Sequence, residues 1–82
     1  MKSAAIVRTP SPFRVETIAS LGLFVAAHRK AGGYTQQQFA DLAGVGRRFV
    51  SELEGGKPTV ETGKVLQVLT ALGVDVFVQG RQ

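Results

Sequence analysis

Apolar residues recur every three or four positions along most of this chain, which is the spacing of an amphipathic helix. Glycines interrupt the pattern between the apolar segments, and polar residues such as Thr35 restart it as helix caps. The pattern predicts helices over about residues 15–30, 35–43, 47–54 and 58–72. Either Pro58 or Thr59 is expected to open the last of them. In the second helix, the residues predicted to be buried are Phe39, Ala40 and Leu42.

The C-terminal segment, residues 74–79, alternates apolar and polar positions as a β-strand does. A lone strand leaves its backbone groups unpaired and is not stable by itself. Two partners are available: residues 4–7 of the N-terminal arm, which spans residues 1–14, and the same strand of a second copy. Both could operate together in one symmetric sheet, so we expect a homodimer. The residues expected to dimerise are Val74, Val76, Phe77 and Val78.

The third predicted helix begins with adjacent arginines, Arg47 and Arg48, directly after a short glycine-containing turn at residues 44–46. A tight turn followed by a basic first helical turn is what a helix-turn-helix DNA reader requires. Steps of about 100° per residue place Val50 toward the core, Arg48 and Ser51 outward, and Arg47 at the N-terminal tip. We therefore expect Arg47, Arg48 and Ser51 to contact bases, with a phosphate contact as an equal alternative for Arg47.

Three other residues are candidates for contacts with DNA phosphates. Thr35 and Gln36 lie at the start of the second helix, where free backbone N–H groups can hold an anion. Lys57 follows the third helix in a glycine loop. Alternatives remain open, because Gln36 and Lys57 can be ordinary solvated residues. Arg48 can instead pair with Glu52 four residues later on an exposed surface.

A charged residue also faces inward on the third helix. The same angular steps turn Glu54 toward the core, where a carboxylate without a partner is costly. Arg29, near the end of the first helix, would be equally costly alone, so we expect the two to pair and join the helices. Breaking a buried pair costs about 3–5 kcal/mol, because the surviving charge is stranded. This pair is expected to serve structure and not DNA binding.

Composition narrows the range of possible functions further. The 82 residues carry a formal net charge of +4, which suits a polyanionic partner without establishing one. There is no cysteine, and His28 is the only histidine, so no metal or cofactor is expected, and the chain fits the reducing cytosol. No apolar run reaches the roughly 20 residues of a membrane span. No nucleophile–base pair or phosphate-binding Walker loop is present, so we do not expect an enzyme.

The stretch from Leu21 to about Gly73 resembles the XRE/Cro-type helix-turn-helix of phage repressors and bacterial regulators. The resemblance implies a mainly α, compact four- to five-helix lambda-repressor-like domain over residues 15–73, with residues 74–82 as a dimerising strand and tail. It also implies a phosphate contact for Gln36, base reading by the start of the third helix, and the Arg29–Glu54 bridge. The matching positions are Leu21, Gly22, Val25, Arg29, Gly33, Tyr34, Thr35, Gln36, Phe39, Ala40, Ala43, Gly44, Val45, Val50, Ser51, Leu53, Glu54 and Gly56.

Residues 55–79 resemble the HipB-type antitoxin branch of that family. There a C-terminal strand pairs across the dimer, and the antitoxin represses its own operon and binds a HipA-type kinase toxin. The resemblance implies a homodimer and a HipA-like toxin partner. If the dimer holds two recognition helices on one face, the operator in double-stranded DNA should be an inverted repeat. We expect the protein in the bacterial cytoplasm, at the nucleoid. The alternatives are a stand-alone regulator without a toxin and a protein-interaction module on the same fold.

This chain departs from the family pattern at two places. Gly46 stands where a serine or threonine commonly caps the third helix. The outer face of the first helix carries Leu23, Phe24 and Ala27 where relatives are often polar. Such an apolar patch indicates either a partner surface or burial under the N-terminal arm.

Overall fold

A computed structural model describes residues 12–81, and the predicted strand at residues 4–7 lies outside this range. The described chain is mainly helical. Helix α1 contacts α3, and α2 contacts both α3 and α4. The helices are α1 (Ile18–Ala31), α2 (Gln36–Ala43), α3 (Arg47–Glu54) and α4 (Thr62–Ala71). The four helices predicted from the apolar pattern are thus confirmed.

Helix α1 begins later than the predicted start near Val15, at Ile18. Its cap explains the difference. The backbone N–H of Ser20 donates to Thr17 Oγ1 at 3.0 Å, and the N–H of Thr17 donates to Ser20 Oγ at 3.2 Å. This reciprocal capping box satisfies two N–H groups that a helix start otherwise leaves unpaired, and so fixes the first turn.

The predicted start of α4 at Pro58 or Thr59 is wrong, because the helix begins at Thr62 after an extended cap residue, Glu61. The chain between α3 and α4 is held in a loop instead. Its turn is closed by the N–H of Lys57, which donates to the carbonyl of Glu52 at 3.0 Å. Further along, the half-buried Val60 packs against the core. Anchoring this loop over the core delays the helix by about one turn.

A single apolar core lies among the four helices. In α2 the buried side chains are Phe39, Ala40 and Ala43. Ala40 and Ala43 follow Phe39 by one and four residues, which places all three on one side of the helix. The prediction that Leu42 is buried is wrong, since its side chain is 57% exposed. The core residues are Leu21, Val25, Phe39, Ala40, Ala43, Val50, Leu53, Val65, Val68 and Leu69.

Helix α1 packs against the end of α3 at Gly22, which is buried. A Cβ atom at this position would overlap the backbone carbonyl oxygens of Leu53 and Glu54 at the end of α3. The opposing atoms are backbone, so no side chain can rotate away to make room. The placement of α3 on α1 therefore depends on glycine at residue 22.

Past Gly73, residues 74–81 form no strand among the residues that the structure describes. Val74 packs against the core, whereas Phe77 and Val78 are 79% and 97% exposed. A strand needs a partner for its backbone groups, either another segment of this chain or a second copy. The C-terminal strand and its pairing across a dimer therefore stay predictions. None of the helices in residues 12–81 is long and apolar enough to cross a membrane.

Candidate nucleic-acid interface

The turn between α2 and α3 sets the direction in which α3 leaves the core. Gly44 ends α2 with φ 76° and ψ 29°, a left-handed conformation that glycine adopts without strain. The N–H of Val45 donates to the carbonyl of Ala40 at 3.0 Å. From α4, Gln67 Nε2 donates to the carbonyls of Ala43 and Gly44 at 3.0 and 3.2 Å. The turn is thus held to both α2 and α4, and the apolar pattern of α4 does not indicate this role of Gln67.

Helix α3 has two sharply different faces. Val50 and Leu53 are completely buried, each with 0% relative exposure. All three predicted base-contacting residues are exposed: Arg48 and Ser51 on the outward side, and Arg47 at the N-terminal tip. Gly46 supplies no side-chain cap, so the first turn of α3 keeps backbone N–H groups that no cap side chain satisfies. The N-terminal half of α3 therefore presents cationic side chains and N–H donors on one surface.

Glu52 lies beside these arginines and accepts from two cations. Arg48 Nε and Lys57 Nζ contact the same oxygen, Glu52 Oε2, at 3.2 and 3.3 Å. The hydrogen bond from Lys57 lowers the pKa of Glu52, burial opposes it, and the bond from Arg48 adds to the lowering. The Arg48–Glu52 pair, left open as an alternative, is therefore present. It does not bury Arg48, whose side chain remains 89% exposed, and exposed pairs of this kind contribute little to stability.

The two predicted phosphate-binding residues of α2 have different surroundings. Thr35 caps the helix: its Oγ1 accepts from the N–H of Gln38 at 3.0 Å, while its own N–H donates to Gln38 Oε1 at 2.9 Å. Gln36 is half-buried, and its Nε2 donates to Glu54 Oε1 at 3.0 Å. An amide nitrogen has two hydrogens, so this contact leaves one available. The bond to Glu54 ties the start of α2 to the end of α3, which the sequence did not indicate.

Arg29 and Glu54 form a bidentate ion pair. Arg29 Nε lies 2.7 Å from Glu54 Oε2, and Nη2 lies 2.9 Å from Oε1. Their side chains are only 9% and 7% exposed. The remaining nitrogen, Nη1, donates to the carbonyl of Tyr34 at 2.7 Å. The sequence placed these two residues together, and the structure shows one guanidinium joining α1, the α1–α2 loop and α3.

The charges of this pair reinforce each other. Burial acts to raise the pKa of Glu54, but the hydrogen bonds from Arg29 and Gln36 and the positive charges of Arg29 and Lys30 together outweigh it, and the pKa lies below its usual value. The hydrogen bond to Glu54 likewise raises the pKa of Arg29. Both groups therefore stay ionised at neutral pH.

Elsewhere in residues 12–81 no group of three or more His, Cys, Asp or Glu residues is arranged to hold a metal ion.

Residues 20–76 match the model of a helix-turn-helix domain family. The chain belongs to the XRE-type helix-turn-helix family. It is 45% identical over 71 residues to the uncharacterized HTH-type transcriptional regulator y4mF of Sinorhizobium fredii (strain NBRC 101917 / NGR234), covering 84% of this chain and 93% of that protein. The family and this relative are DNA-binding transcription regulators, so the protein is a regulator and not an enzyme.

Two solved structures place the fold more closely. The restriction-modification controller protein C.AhdI from Aeromonas hydrophila is 29% identical, with a TM-score of 0.63 over 71% of this chain and 84% of its own. HipB in complex with an O2 20mer is 17% identical, with a TM-score of 0.76 over 88% of this chain and 100% of its own. At that identity the likeness to HipB establishes a shared fold.

Proposed function

We propose that this helix-turn-helix regulator is a sequence-specific transcriptional repressor that places α3 in the major groove of its operator. The observation that carries the proposal is the outer face of α3, where Arg47, Arg48 and Ser51 are exposed while Val50 and Leu53 are buried beneath them. A helix in the major groove presents its N-terminal residues to base edges. Arg47 and Arg48 are the first two residues of α3, and Ser51 lies one turn further along it.

Each candidate residue has a distinct role in this proposal. Arg48 and Ser51 contact base edges, and Arg47 contacts a base or a neighbouring phosphate. A guanidinium bound to guanine O6 and N7 contributes about 1–3 kcal/mol of discrimination. This is more than the free energy that an exposed ion pair with an acidic neighbour contributes, so such a pair does not prevent the base contact. Phosphate contacts are assigned to Thr35, Gln36 and Lys57. Gln36 can donate the amide hydrogen that its bond to Glu54 leaves free.

Footprinting on the promoter of the protein's own gene tests the proposal, with Arg48→Ala as the decisive variant. Loss of a bidentate base contact is expected to weaken operator binding about 5- to 140-fold, with little change on random DNA. Lys57→Ala is the comparison, because a phosphate contact should weaken binding to both DNAs alike and reduce the salt dependence. Equal losses on operator and random DNA for Arg48→Ala would contradict base reading.

The proposal includes a homodimer joined through the C-terminal segment. Val76, Phe77 and Val78 are exposed apolar residues in a row, at 55%, 79% and 97%, an arrangement that a partner strand would cover. Two readers on one face of such a dimer would recognise an inverted repeat with half-sites about 34–36 Å apart. This spacing is what a symmetric footprint should show.

Deleting residues 74–82 is therefore expected to produce monomers, measured by sedimentation, because the deletion removes the exposed apolar row. A shorter deletion of residues 80–82 is the control, since it keeps that row and should leave the dimer intact. A dimer that persists after deletion of residues 74–82 would show that the segment is not part of the interface.

We propose further that the repressor is the antitoxin of a type II toxin–antitoxin pair and binds a HipA-like kinase toxin. HipB, which is found in a HipA–HipB–O2–O3 complex, shares this fold over 99% of its length. The exposed Leu23 on α1, at 70%, offers an apolar contact outside the reader surface. An adjacent kinase-like reading frame whose product copurifies with this protein would support the pair.

A stand-alone regulator is the second candidate, favoured by the 29% identity to the controller protein C.AhdI, which exceeds the identity to HipB. Absence of a kinase-like neighbour would favour it. A protein-interaction module that has lost DNA binding is less well supported, because the chain has exposed basic residues, Arg47, Arg48 and Lys57, where a DNA-binding domain needs them. In either of the first two cases the repressor would act in the bacterial cytoplasm, at the nucleoid.

A further inference from the structure

We infer that Glu52 is a positioning residue for DNA recognition, which aims Arg48 and Lys57 and so sets how sharply α3 distinguishes its operator from other sequences. The inference rests on the proposed DNA-binding function. It concerns an acidic residue that lies among the candidate DNA contacts, where a negative charge would be expected to repel phosphates.

The geometry assigns Glu52 a specific effect on Arg48. Glu52 Oε2 accepts from the Nε atom of Arg48 at 3.2 Å. Among the described residues Arg48 makes no other side-chain hydrogen bond, so its terminal Nη1 and Nη2 groups are left for a ligand. Guanine O6 and N7 require two donors side by side, and these terminal groups provide them. Glu52 therefore holds the guanidinium at Nε, in a side chain that is 89% exposed, and leaves the two terminal nitrogens accessible.

The same oxygen fixes a second cation. Lys57 Nζ reaches Glu52 Oε2 at 3.3 Å from the loop beyond α3, across five residues of chain. One carboxylate thus sets the position of a candidate base reader relative to a candidate phosphate contact. Long cationic side chains lose rotamer freedom on binding, so restraining both before binding reduces that entropic cost for the one arrangement that fits the operator.

Glu52 also acts against binding elsewhere. Non-specific DNA binding comes from cations meeting phosphates, and its strength rises with the number of phosphates neutralised. A carboxylate that occupies two cations and adds a negative charge weakens such binding on every sequence. The charge weakens phosphate contacts on operator and random DNA alike, so it is the restraint of Arg48 and Lys57 that raises the ratio of the two affinities.

A neighbouring acid provides a comparison for an ordinary surface pair. Glu61 Oε1 lies 3.7 Å from Lys64 Nζ, and the side chain of Glu61 is 68% exposed. Glu52 differs in having two cations on one oxygen and a side chain only 29% exposed. Glu61→Gln therefore removes the same charge as Glu52→Gln without touching Arg48 or Lys57.

The test compares Glu52→Gln with Glu61→Gln in the full chain, using the footprinted operator and a random duplex of equal length. Glu52→Gln is expected to tighten binding to random DNA and to lower the operator-to-random ratio about 5- to 10-fold, a part of what one bidentate contact provides. Glu61→Gln should leave the ratio unchanged. Thermal unfolding of both variants should match that of the unmodified protein, because the arginine and lysine partners in both cases lie at the surface, where ion pairs contribute little to stability.

A double-mutant cycle shows whether Glu52 acts through Arg48. In an Arg48→Ala background, Glu52→Gln should lower the ratio no further than its remaining effect through Lys57. An unchanged ratio for Glu52→Gln, or a change equal to that of Glu61→Gln, would overturn the inference while leaving the proposed function intact. An unmodified protein without preference for its own promoter would overturn the proposed function itself.

Discussion

Glu54→Gln is expected to lower the free energy of unfolding by about 3–5 kcal/mol, because it strands the Arg29 charge in the protein interior. Both side chains are less than one-tenth exposed, so solvent cannot replace the lost partner. A domain of ordinary stability has about 5–15 kcal/mol in total, so this one substitution removes a large share. Urea denaturation at a fixed protein concentration measures the loss.

A double variant separates the stranded charge from general damage to the packing. Arg29→Met with Glu54→Leu replaces both charges with apolar groups of similar size, a change that is often neutral. We expect it to recover most of the stability that Glu54→Gln loses. Glu61→Gln, at an exposed pair, should change little. A Glu54→Gln protein as stable as Glu61→Gln would show that the pair does not join α1 to α3.

Acid should reveal the same interaction without any substitution. The pKa of Glu54 lies below its ordinary value of 4.5 in the folded protein, so the folded state holds the proton less readily than the unfolded chain. The stability from this carboxylate is therefore complete above about pH 4.5 and is lost as pH falls through the lowered pKa. Glu54→Gln should lack this part of the acid dependence in urea titrations between neutral and acidic pH.

The helices could be predicted because their burial follows a local period. The inward positions of α3, Val50, Leu53 and Glu54, follow from angular steps alone, and so does the outward direction of Arg48. Helix ends were harder to place. The reciprocal hydrogen bonds of Thr17 and Ser20 set the start of α1. The usual capping box has Glu or Gln three residues after the cap, where this chain has Ser20, so the sequence does not show the usual signal for this helix start.

The side-chain hydrogen bonds that hold α3 and the turn before it could not be predicted, because they join distant parts of the chain and leave no periodic signal in the sequence. Gln67 bonds to carbonyls 23 and 24 residues away, and Gln36 reaches Glu54 across 18 residues. Neither bond changes the apolar pattern of its helix. Pairing of the C-terminal segment depends on a partner strand, either residues 4–7 or the same segment of a second copy, and its alternating pattern does not distinguish between the two.

Gly22→Ala is expected to lower the free energy of unfolding by about 3 kcal/mol, at the upper end for an overpacked core. One added methyl group meets the carbonyl oxygens of Leu53 and Glu54, and relief requires α1 and α3 to move apart. That movement would stretch the Arg29–Glu54 pair, whose two bonds cross the same interface. In a domain of this size the loss corresponds to a fall in Tm of about 12–24 °C.

Gly63→Ala is the matched control, because it makes the same chemical change in a helix of the same domain. A Cβ at Gly63 would meet nothing within 4 Å, so alanine there should stabilise α4 by up to about 1 kcal/mol. The two substitutions are thus expected to have opposite signs. A shifted α3 would also carry Arg48 away from its place on the operator, so any folded Gly22→Ala protein should bind the operator more weakly than Gly63→Ala does. Tolerance of alanine at residue 22 in both stability and operator affinity would mean that the α1–α3 contact does not fix the reader.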